Sequence, residues 1–214
     1  MLVNFLSDLH KGTKRNYLAR MTQDKVECMK VARKFGKDYW DGDRRYGYGG
    51  YRYDGRWKPV AEKLVKRYKL SSKSSVLDMG CGKGFLAYEI KKLTGCYLRG
   101  CDISGYALKE AKIKGIFKCD IGVENIAFNS RFDLVLCVNV LHNLTLPHLE
   151  VAIQNINRNS FNAYICVDSY RNEQELFNLQ CWALTAECFF RPEEWLEIFR
   201  ICGYRNDYEF IFFE

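Results

Sequence analysis

The segment Val76–Gly84 reads Val-Leu-Asp-Met-Gly-Cys-Gly-Lys-Gly, an apolar run that ends in a carboxylate and three alternating glycines. The apolar run predicts a buried strand, and the glycines predict a turn in which the backbone can approach a ligand closely. Residues 84–93 then place apolar side chains at helical spacing, so the turn opens a helix whose first N–H groups are unpaired. This order of elements predicts the ligand-binding crossover of an α/β sheet.

The chain beyond this segment continues to alternate short apolar runs with helical patterns. Because strand-helix-strand units form parallel sheets with right-handed crossovers, the pattern predicts a Rossmann-like α/β fold, a mostly parallel sheet with helices on both faces. Further strands are predicted at 97–102, 116–120, 132–140, 163–168 and 208–213, and further helices at 104–114, 146–157 and 191–203.

Acidic residues stand at the ends of the first three predicted strands: Asp78, Asp102 and Asp120. In parallel sheets, ligands bind outside the carboxyl ends of the strands, so these carboxylates are expected at one site. Asp102, at the end of the second strand, can accept both hydroxyls of a ribose. Phe85 stands where a dinucleotide fingerprint needs glycine, which argues against a nicotinamide or flavin dinucleotide. The Gly-Lys-Ser/Thr phosphate signature is also absent.

The first 57 residues do not follow the alternation and are predicted to form a cap over the ligand edge of the sheet, with 58–214 as the main domain. Residues 1–57 hold 13 Lys and Arg against 7 Asp and Glu, whereas 58–214 hold 20 against 19. Residues 16–35 are predicted as one amphipathic helix. Residues 39–57 contain five Gly, five Tyr, four Arg and two Trp. The basic excess predicts that the cap meets an anionic partner.

Composition excludes several classes of protein. Apolar residues make up 48% of the 214, which excludes a disordered chain. The sequence contains no run of 18 apolar residues, so no membrane span is predicted. The first residues have no long apolar run, so no secretory signal is expected. The ten cysteines form no C-x-x-C pair, and with only three histidines no metal site is predicted. Free thiols in strand-like runs favour the cytoplasm. The oligomeric state is not indicated.

Four segments, taken in order, carry a family resemblance: VLDMGCGKG, CDIS, KCDIG and FDLVLCVNVLHNL. Their series resembles the motifs of class I S-adenosylmethionine-dependent methyltransferases, over residues 75–214. The resemblance implies S-adenosylmethionine as cofactor. It is a cation without a pyrophosphate, and its site therefore favours carboxylates over a basic cradle.

The resemblance implies a role for each matching residue. Asp78, Gly80, Cys81, Gly82 and Gly84 would line the methionine part of the cofactor. Asp102 would hold the ribose, Ile103 would lie against the adenine, Asp120 and Ile121 would meet the adenine edge, and Asn139 to His142 would form the floor beneath the sulfonium. The family sheet ends in an antiparallel hairpin, but only one strand is evident after Gly203; the other would be residues 182–190 or be missing.

Methyl transfer requires a positioned nucleophile and, for some acceptors, a base that takes its proton. His142 follows the central strand end and is the first candidate for that base; the alternative is a histidine hydrogen-bonded in the turn. Candidate acceptor-binding residues combine guanidinium groups with amphipathic rings. They are Tyr48, Tyr51, Arg52, Tyr53, Arg56 and Trp57 in the cap and Arg171 after a strand end.

Two functions remain open from the sequence. The first is methyl transfer to an O or N atom of a small anionic metabolite, phosphorylated or nucleotide-activated. The second is methylation of RNA or another nucleic acid, with the cap stacking bases. The run Asn139-Val-Leu-His142 lacks the prolines of base N-methyltransferases, which favours the first. The segment YGYGGYRYDGRW also resembles bacterial methyltransferases of surface-polysaccharide or capsule modification.

Overall fold

The computed structural model describes all 214 residues, and its centre is one six-stranded sheet. The strand order is β3-β2-β1-β4-β5-β6, and every neighbouring pair is parallel. The strands are β1 (Ser75–Met79), β2 (Tyr97–Asp102), β3 (Ile116–Lys118), β4 (Leu134–Val138), β5 (Ala163–Asp168) and β6 (Asp207–Ile211). The predicted Rossmann-like α/β fold is therefore confirmed.

Strand order reverses between β1 and β4, because the chain runs outward from β1 to β3 and then returns to the centre. Crossovers on the two sides of this point leave by opposite faces of the sheet, which opens a crevice at the carboxyl ends of the two central strands. This crevice positions the site described below.

Ten α-helices accompany the sheet. The helices of the first 70 residues are α1 (Ser7–Lys11), α2 (Tyr17–Met21), α3 (Lys25–Ala32), α4 (Lys37–Asp41) and α5 (Lys58–Tyr68). Those that follow β1 are α6 (Phe85–Thr94), α7 (Gly105–Lys109), α8 (Leu146–Asn159), α9 (Glu173–Trp182) and α10 (Pro192–Ile201).

The sheet is buried on both faces, which explains why its strands are apolar throughout rather than alternating. One face packs against α8 and α10 around Trp195, whose side chain is fully buried. The other face packs against α5, α6 and α9 around Leu64 and Ile90. Successive strand residues such as Leu134 and Val135 supply one side chain to each cluster. The two apolar clusters fix the sheet between its helices.

Two sequence-based expectations about elements are corrected, and one alternative that the sequence left open is decided. Residues 16–35 form two short helices, α2 and α3, because Asp24 adopts a left-handed backbone (φ 44°) and its carboxylate caps α3. The helix predicted over 104–114 ends after Lys109. Residues 182–190 form no strand, and β6 pairs with β5 in parallel, so the antiparallel hairpin is missing.

The first residues of the chain lie along the outer edge of β6. The backbone N–H of Val3 donates to the carbonyl of Tyr208 at 2.9 Å. The buried carboxylate of Glu209 accepts from the N–H groups of Phe5, Leu6 and Ser7 at 2.7–3.1 Å. The edge strand is thus covered, which protects it from pairing with other chains. The division of the chain at residue 57 stays a prediction.

All ten cysteines are free thiols, and eight of them are buried. None of the helices has the length and apolar character that crossing a lipid bilayer requires.

Candidate functional site

A chamber of about 340 Å³ lies at the crevice between β1 and β4, at the carboxyl edge of the sheet. Strand ends form its floor and the N-terminal segment forms its roof. Nine of the ten residues predicted to bind the cofactor line it: Asp78, Gly80, Cys81, Gly82, Asp102, Ile103, Asp120, Ile121 and Asn139. Gly84 does not line it, because Ile113 packs against its position. The structure therefore brings together residues that lie up to 61 positions apart in sequence.

The glycine turn after β1 has the left-handed backbone that the sequence predicts. Gly80 and Gly82 have φ of 80° and 53°. A Cβ added at Gly80 would lie 2.2 Å from Cγ2 of Val140, and one at Gly82 would lie 2.7 Å from Cη2 of Trp40. Larger residues at these positions would therefore be strained and would push the chamber wall apart.

Asp102 joins the end of β2 to the glycine turn. Its Oδ2 accepts from the N–H of Gly82 at 2.7 Å, and its Oδ1 accepts from the N–H of Ser104 at 2.8 Å. Burial raises the pKa of this carboxyl, and the two N–H groups act in the opposite direction. Each oxygen keeps a second lone pair, so the carboxylate can still accept hydroxyl groups from a ligand in the chamber.

Asp78 is the other buried acid on the chamber wall, and its side chain accepts no hydrogen bond from the protein. Burial, with a smaller contribution from the charge of Asp102, raises the pKa of Asp78 to about 7. A buried carboxylate without a partner is costly unless a counter-charge approaches it. Asp78 therefore marks a place for a cationic ligand.

We expect the affinity for S-adenosylmethionine to rise about tenfold between pH 5.5 and 7.5, because a cation favours the ionised form of Asp78, whose pKa is about 7 in the free protein. Titration calorimetry across this range measures the change. In Asp78→Asn the affinity should depend less on pH. A wild-type affinity that does not change with pH would contradict the assignment.

The raised pKa of Asp78 also affects stability. Because the folded-state pKa is raised, the free energy of unfolding of the free protein falls as pH rises from 4 through 7. Asp78→Asn should therefore be more stable than the wild type at pH 8 and equally stable near pH 4.

Asn139 ends β4 in a left-handed backbone, with φ of 58°, which is rare for residues other than glycine. Its exposed side chain lines the chamber, and its carbonyl accepts from the side-chain amide of Asn143 at 3.2 Å. A strained residue at the end of a central strand is held there by its surroundings, in keeping with a place in a functional site.

His142 lies in the 3₁₀ turn Leu141–Asn143, and the structure does not bring it to the chamber. The side chain is buried and faces Asp168. Its Nδ1 accepts from the N–H of Asp168 at 3.1 Å, and its Nε2 lies 3.4 Å from Oδ2 of the same residue. These contacts join the turn to the end of β5 rather than holding the ring within the turn itself. The role of general base stays a prediction.

Because both ring nitrogens of His142 contact Asp168, we expect His142→Ala to lower the free energy of unfolding by about 2 kcal/mol, the cost of leaving buried polar groups unpaired. Urea denaturation measures this loss, and turnover per folded molecule, measured beside it, tests the role of general base. His148→Ala, which changes an exposed histidine on α8, is the control for stability. A stable His142→Ala protein with turnover lowered more than tenfold would instead support the general base.

Aromatic rings of the N-terminal segment form the roof of the chamber. The rings of Trp40 and Tyr48 stack with centroids 5.2 Å apart and an interplanar angle of 10°. The ring centroid of Tyr51 lies 4.5 Å from that of Tyr48. On its other side Tyr51 stacks on Phe85, at the start of α6, with centroids 4.9 Å apart. The indole N–H of Trp40 donates to the hydroxyl of Ser104 at 2.9 Å. The segment is thus packed onto the glycine turn and onto the end of β2.

The predicted acceptor-binding residues divide between the chamber and other surfaces. Tyr48, Tyr51 and Trp57 line the chamber. The others do not: Arg52 and Tyr53 line a second, open cavity, Arg56 pairs with Asp54 at 2.5 Å, and Arg171 contacts Glu175 and pairs with Glu214 at 2.8 Å. In an irregular loop no helical or strand periodicity sets the direction of each side chain. Sequence alone therefore could not separate the residues that line the chamber from those that do not.

Further residues that line the chamber were not assigned to the site from sequence: Phe35, Tyr39, Trp40, Asn143, His148 and Glu187. Tyr39 and Trp40 carry a signal, since they belong to the aromatic run of 39–57. Glu187 carries none, because it stands in the loop between α9 and α10, far along the chain from the motifs.

An ion pair between a buried lysine and a half-buried aspartate joins the roof to the glycine turn. The ammonium of Lys83, whose residue is 5% exposed, donates to both carboxylate oxygens of Asp41 at 2.6 and 2.7 Å and to the carbonyl of Tyr51 at 2.9 Å. The hydroxyl of Tyr106 donates to Asp41 at 2.8 Å. Lys83 is therefore directed away from the chamber and offers no cradle for a phosphate.

The residues present fit S-adenosylmethionine. No lysine or arginine lines the chamber, whereas Asp78 is an unpartnered carboxylate on its wall and Asp102 keeps free acceptor capacity. A cationic cofactor without a pyrophosphate matches this charge distribution, and a dinucleotide does not.

Comparisons with known proteins agree with this site. Residues 76–160 match a family model described as a methyltransferase domain. The ubiquinone biosynthesis O-methyltransferase of Chromobacterium violaceum is 29% identical over 109 residues, 44% of this chain and 46% of that protein. An uncharacterised protein of Methanocaldococcus jannaschii is 34% identical over 119 residues, 54% of this chain and 51% of that protein. The chain spans about half the length of these curated relatives.

Among solved structures, a chain of the complex between the Haloferax volcanii Trm112 methyltransferase activator and a methyltransferase superposes with a TM-score of 0.50. The match covers 70% of this chain and 73% of the other at 17% identity, so it shows the fold alone. The family match shows that residues 76–160 are similar to a methyltransferase domain, which supports the prediction of a methyltransferase. The comparisons do not determine its acceptor.

Proposed function

We propose that the protein transfers a methyl group from S-adenosylmethionine to an O or N atom of a small acceptor bound in the chamber. The observation that carries this proposal is the pair of buried carboxylates beside the glycine turn, in a chamber that no lysine or arginine lines. Such a wall suits a cationic nucleoside and disfavours phosphate-bearing cofactors.

The roles of the chamber residues follow from their positions. Asp102 would accept from ribose hydroxyls, and Asp78 would face positive charge. Asp120, Ile103 and Ile121, at the ends of β2 and β3, would enclose the adenine. When bound, S-adenosylmethionine supplies a methyl group on positively charged sulfur. The protein's part is to orient the acceptor atom toward it, and the aromatic roof excludes water.

The finer prediction is an anionic acceptor, phosphorylated or nucleotide-activated and used in surface-polysaccharide modification. The second cavity supports its anionic character, because Arg52, Lys37 and Lys112 line that cavity without an ion pair, beside Glu110 and the pair of Lys83 with Asp41. An anionic group of the acceptor would bind there, outside the chamber. The free, mostly buried thiols support the predicted cytoplasmic location.

The test is transfer of labelled methyl from S-adenosylmethionine by the purified protein to a panel of phosphorylated and nucleotide-linked metabolites, their unphosphorylated counterparts, tRNA and rRNA. We expect label in at least one small molecule and none with Asp102→Ala. Label in RNA alone would favour the nucleic-acid alternative. If no S-adenosylmethionine binds, as calorimetry would show, the proposal fails.

A further inference from the structure

The part of the chamber not assigned to the cofactor is aromatic and acidic. Tyr39, Tyr48 and Phe35 come from the N-terminal segment, and Asn143 and Glu187 come from loops after β4 and α9. This side therefore offers flat apolar surfaces with a few acceptor groups.

The arginines of the N-terminal segment do not change this charge. Besides Arg52 and Arg56, Arg44 lies 5.0 Å from the ring centroid of Trp182 and donates to the carbonyl of Gly47, so it is directed away from the chamber. Arg33 lies 3.0 Å from the carboxylate of Glu187 but does not itself line the chamber. A negative group inside would meet four acidic side chains there (Asp78, Asp102, Asp120, Glu187), no lysine or arginine, and one histidine, His148.

Tyr48 is the ring best placed to meet an acceptor. It remains 41% exposed although it lines the chamber, and its neighbours hold its plane: Trp40 stacks on it, and Tyr39 meets it edge-on at 5.3 Å. A ring held in this way offers a contact surface at low entropic cost, and it selects planar partners through offset stacking.

We propose that the acceptor presents to this chamber a planar ring that carries no negative charge, and that Tyr48 is its stacking partner. The proposal rests on the proposed function and names the substrate class of the same site. An anionic substituent elsewhere on the acceptor stays outside, because inside it would lie near the carboxylates with no lysine or arginine of the lining to pair with.

The test uses pairs of small rings of matched shape and different charge: nicotinamide with nicotinate, and benzamide with benzoate. Each is titrated by ligand-observed NMR at pH 7.5 into the full-length protein saturated with S-adenosylhomocysteine. We expect the uncharged member of each pair to bind at least tenfold more tightly. We also expect Tyr48→Ala to weaken that binding at least fivefold, whereas Tyr97→Ala, which removes an exposed ring at the opposite end of β2, leaves it unchanged.

Three results would each overturn the proposal. They are tighter binding of the anionic members, no binding of any ring at the highest concentration titrated, and equal binding of the uncharged rings by Tyr48→Ala and the wild type. S-adenosylhomocysteine binding is measured separately by calorimetry. If it binds and the charge preference is reversed, only this inference fails; if it does not bind, the proposed function fails as well.

Discussion

Replacing Asp102 with alanine is expected to weaken S-adenosylmethionine binding at least about 100-fold. Without the carboxylate, the two ribose hydroxyls would lose their hydrogen-bond acceptor, and hydrogen bonds to a charged group contribute about 1.5–3 kcal/mol each. The variant would also lack the hydrogen bond that the N–H of Gly82 donates to Asp102 at 2.7 Å, so the glycine turn would be held less firmly. Titration calorimetry gives the affinity, and circular dichroism confirms the fold.

Asp133→Ala is a matched control for Asp102→Ala. Asp133 also accepts a backbone N–H, that of Ser75 at 2.7 Å, but it stands before β4, at the amino edge of the sheet. We expect this control to leave cofactor affinity unchanged. Equal affinity in Asp102→Ala and wild type would remove the assignment of the ribose to this carboxylate.

Breaking the ion pair between Lys83 and Asp41 is expected to have the second large effect. Asp41→Ala leaves the buried ammonium of Lys83 with only the carbonyl of Tyr51, and an uncompensated buried charge is costly. We expect the free energy of unfolding to fall by about 2–3 kcal/mol in urea denaturation. We also expect weaker cofactor binding, because Lys83 belongs to the glycine turn.

Asp8→Ala is the control for this variant. It breaks the pair between Lys63 and Asp8, which is also within hydrogen-bond distance, at 2.9 Å, but is exposed to solvent. Exposed pairs contribute about 0–1 kcal/mol, so this variant should be near wild type. The double variant Lys83→Met, Asp41→Ala should recover part of the lost stability. Equal losses in Asp41→Ala and Asp8→Ala would show that the pair of Lys83 with Asp41 does not fasten the roof.

The sheet and the cofactor wall could be predicted from the sequence because their signals are local. A short apolar run such as that of β4 predicts a strand that is buried on both faces of the sheet. The glycine turn follows the apolar run of β1 directly in sequence, so its position is also predicted. Parallel topology then brings Asp78 and Asp102 to the same edge without further information.

The acceptor side could not be predicted in the same way. Sequence places His142 just after β4, but the 3₁₀ turn directs its ring toward Asp168 rather than into the chamber. Glu187 reaches the chamber because its loop is held to the turn after β4, where the backbone N–H of Glu187 donates to the carbonyl of His142 at 2.9 Å. Such placements depend on tertiary packing, which periodicity does not contain.

The contact between Trp40 and the glycine turn has a practical consequence. Its indole and that of Trp57 lie on the chamber wall, whereas Trp195 is fully buried against one face of the sheet and Trp182 does not line the chamber. Emission from the two chamber tryptophans should therefore respond when a nucleoside enters, so the wild-type protein carries an intrinsic optical reporter. Ligand entry could be followed by stopped-flow fluorescence without any label, and the double variant Trp40→Phe, Trp57→Phe would serve as the silent reference.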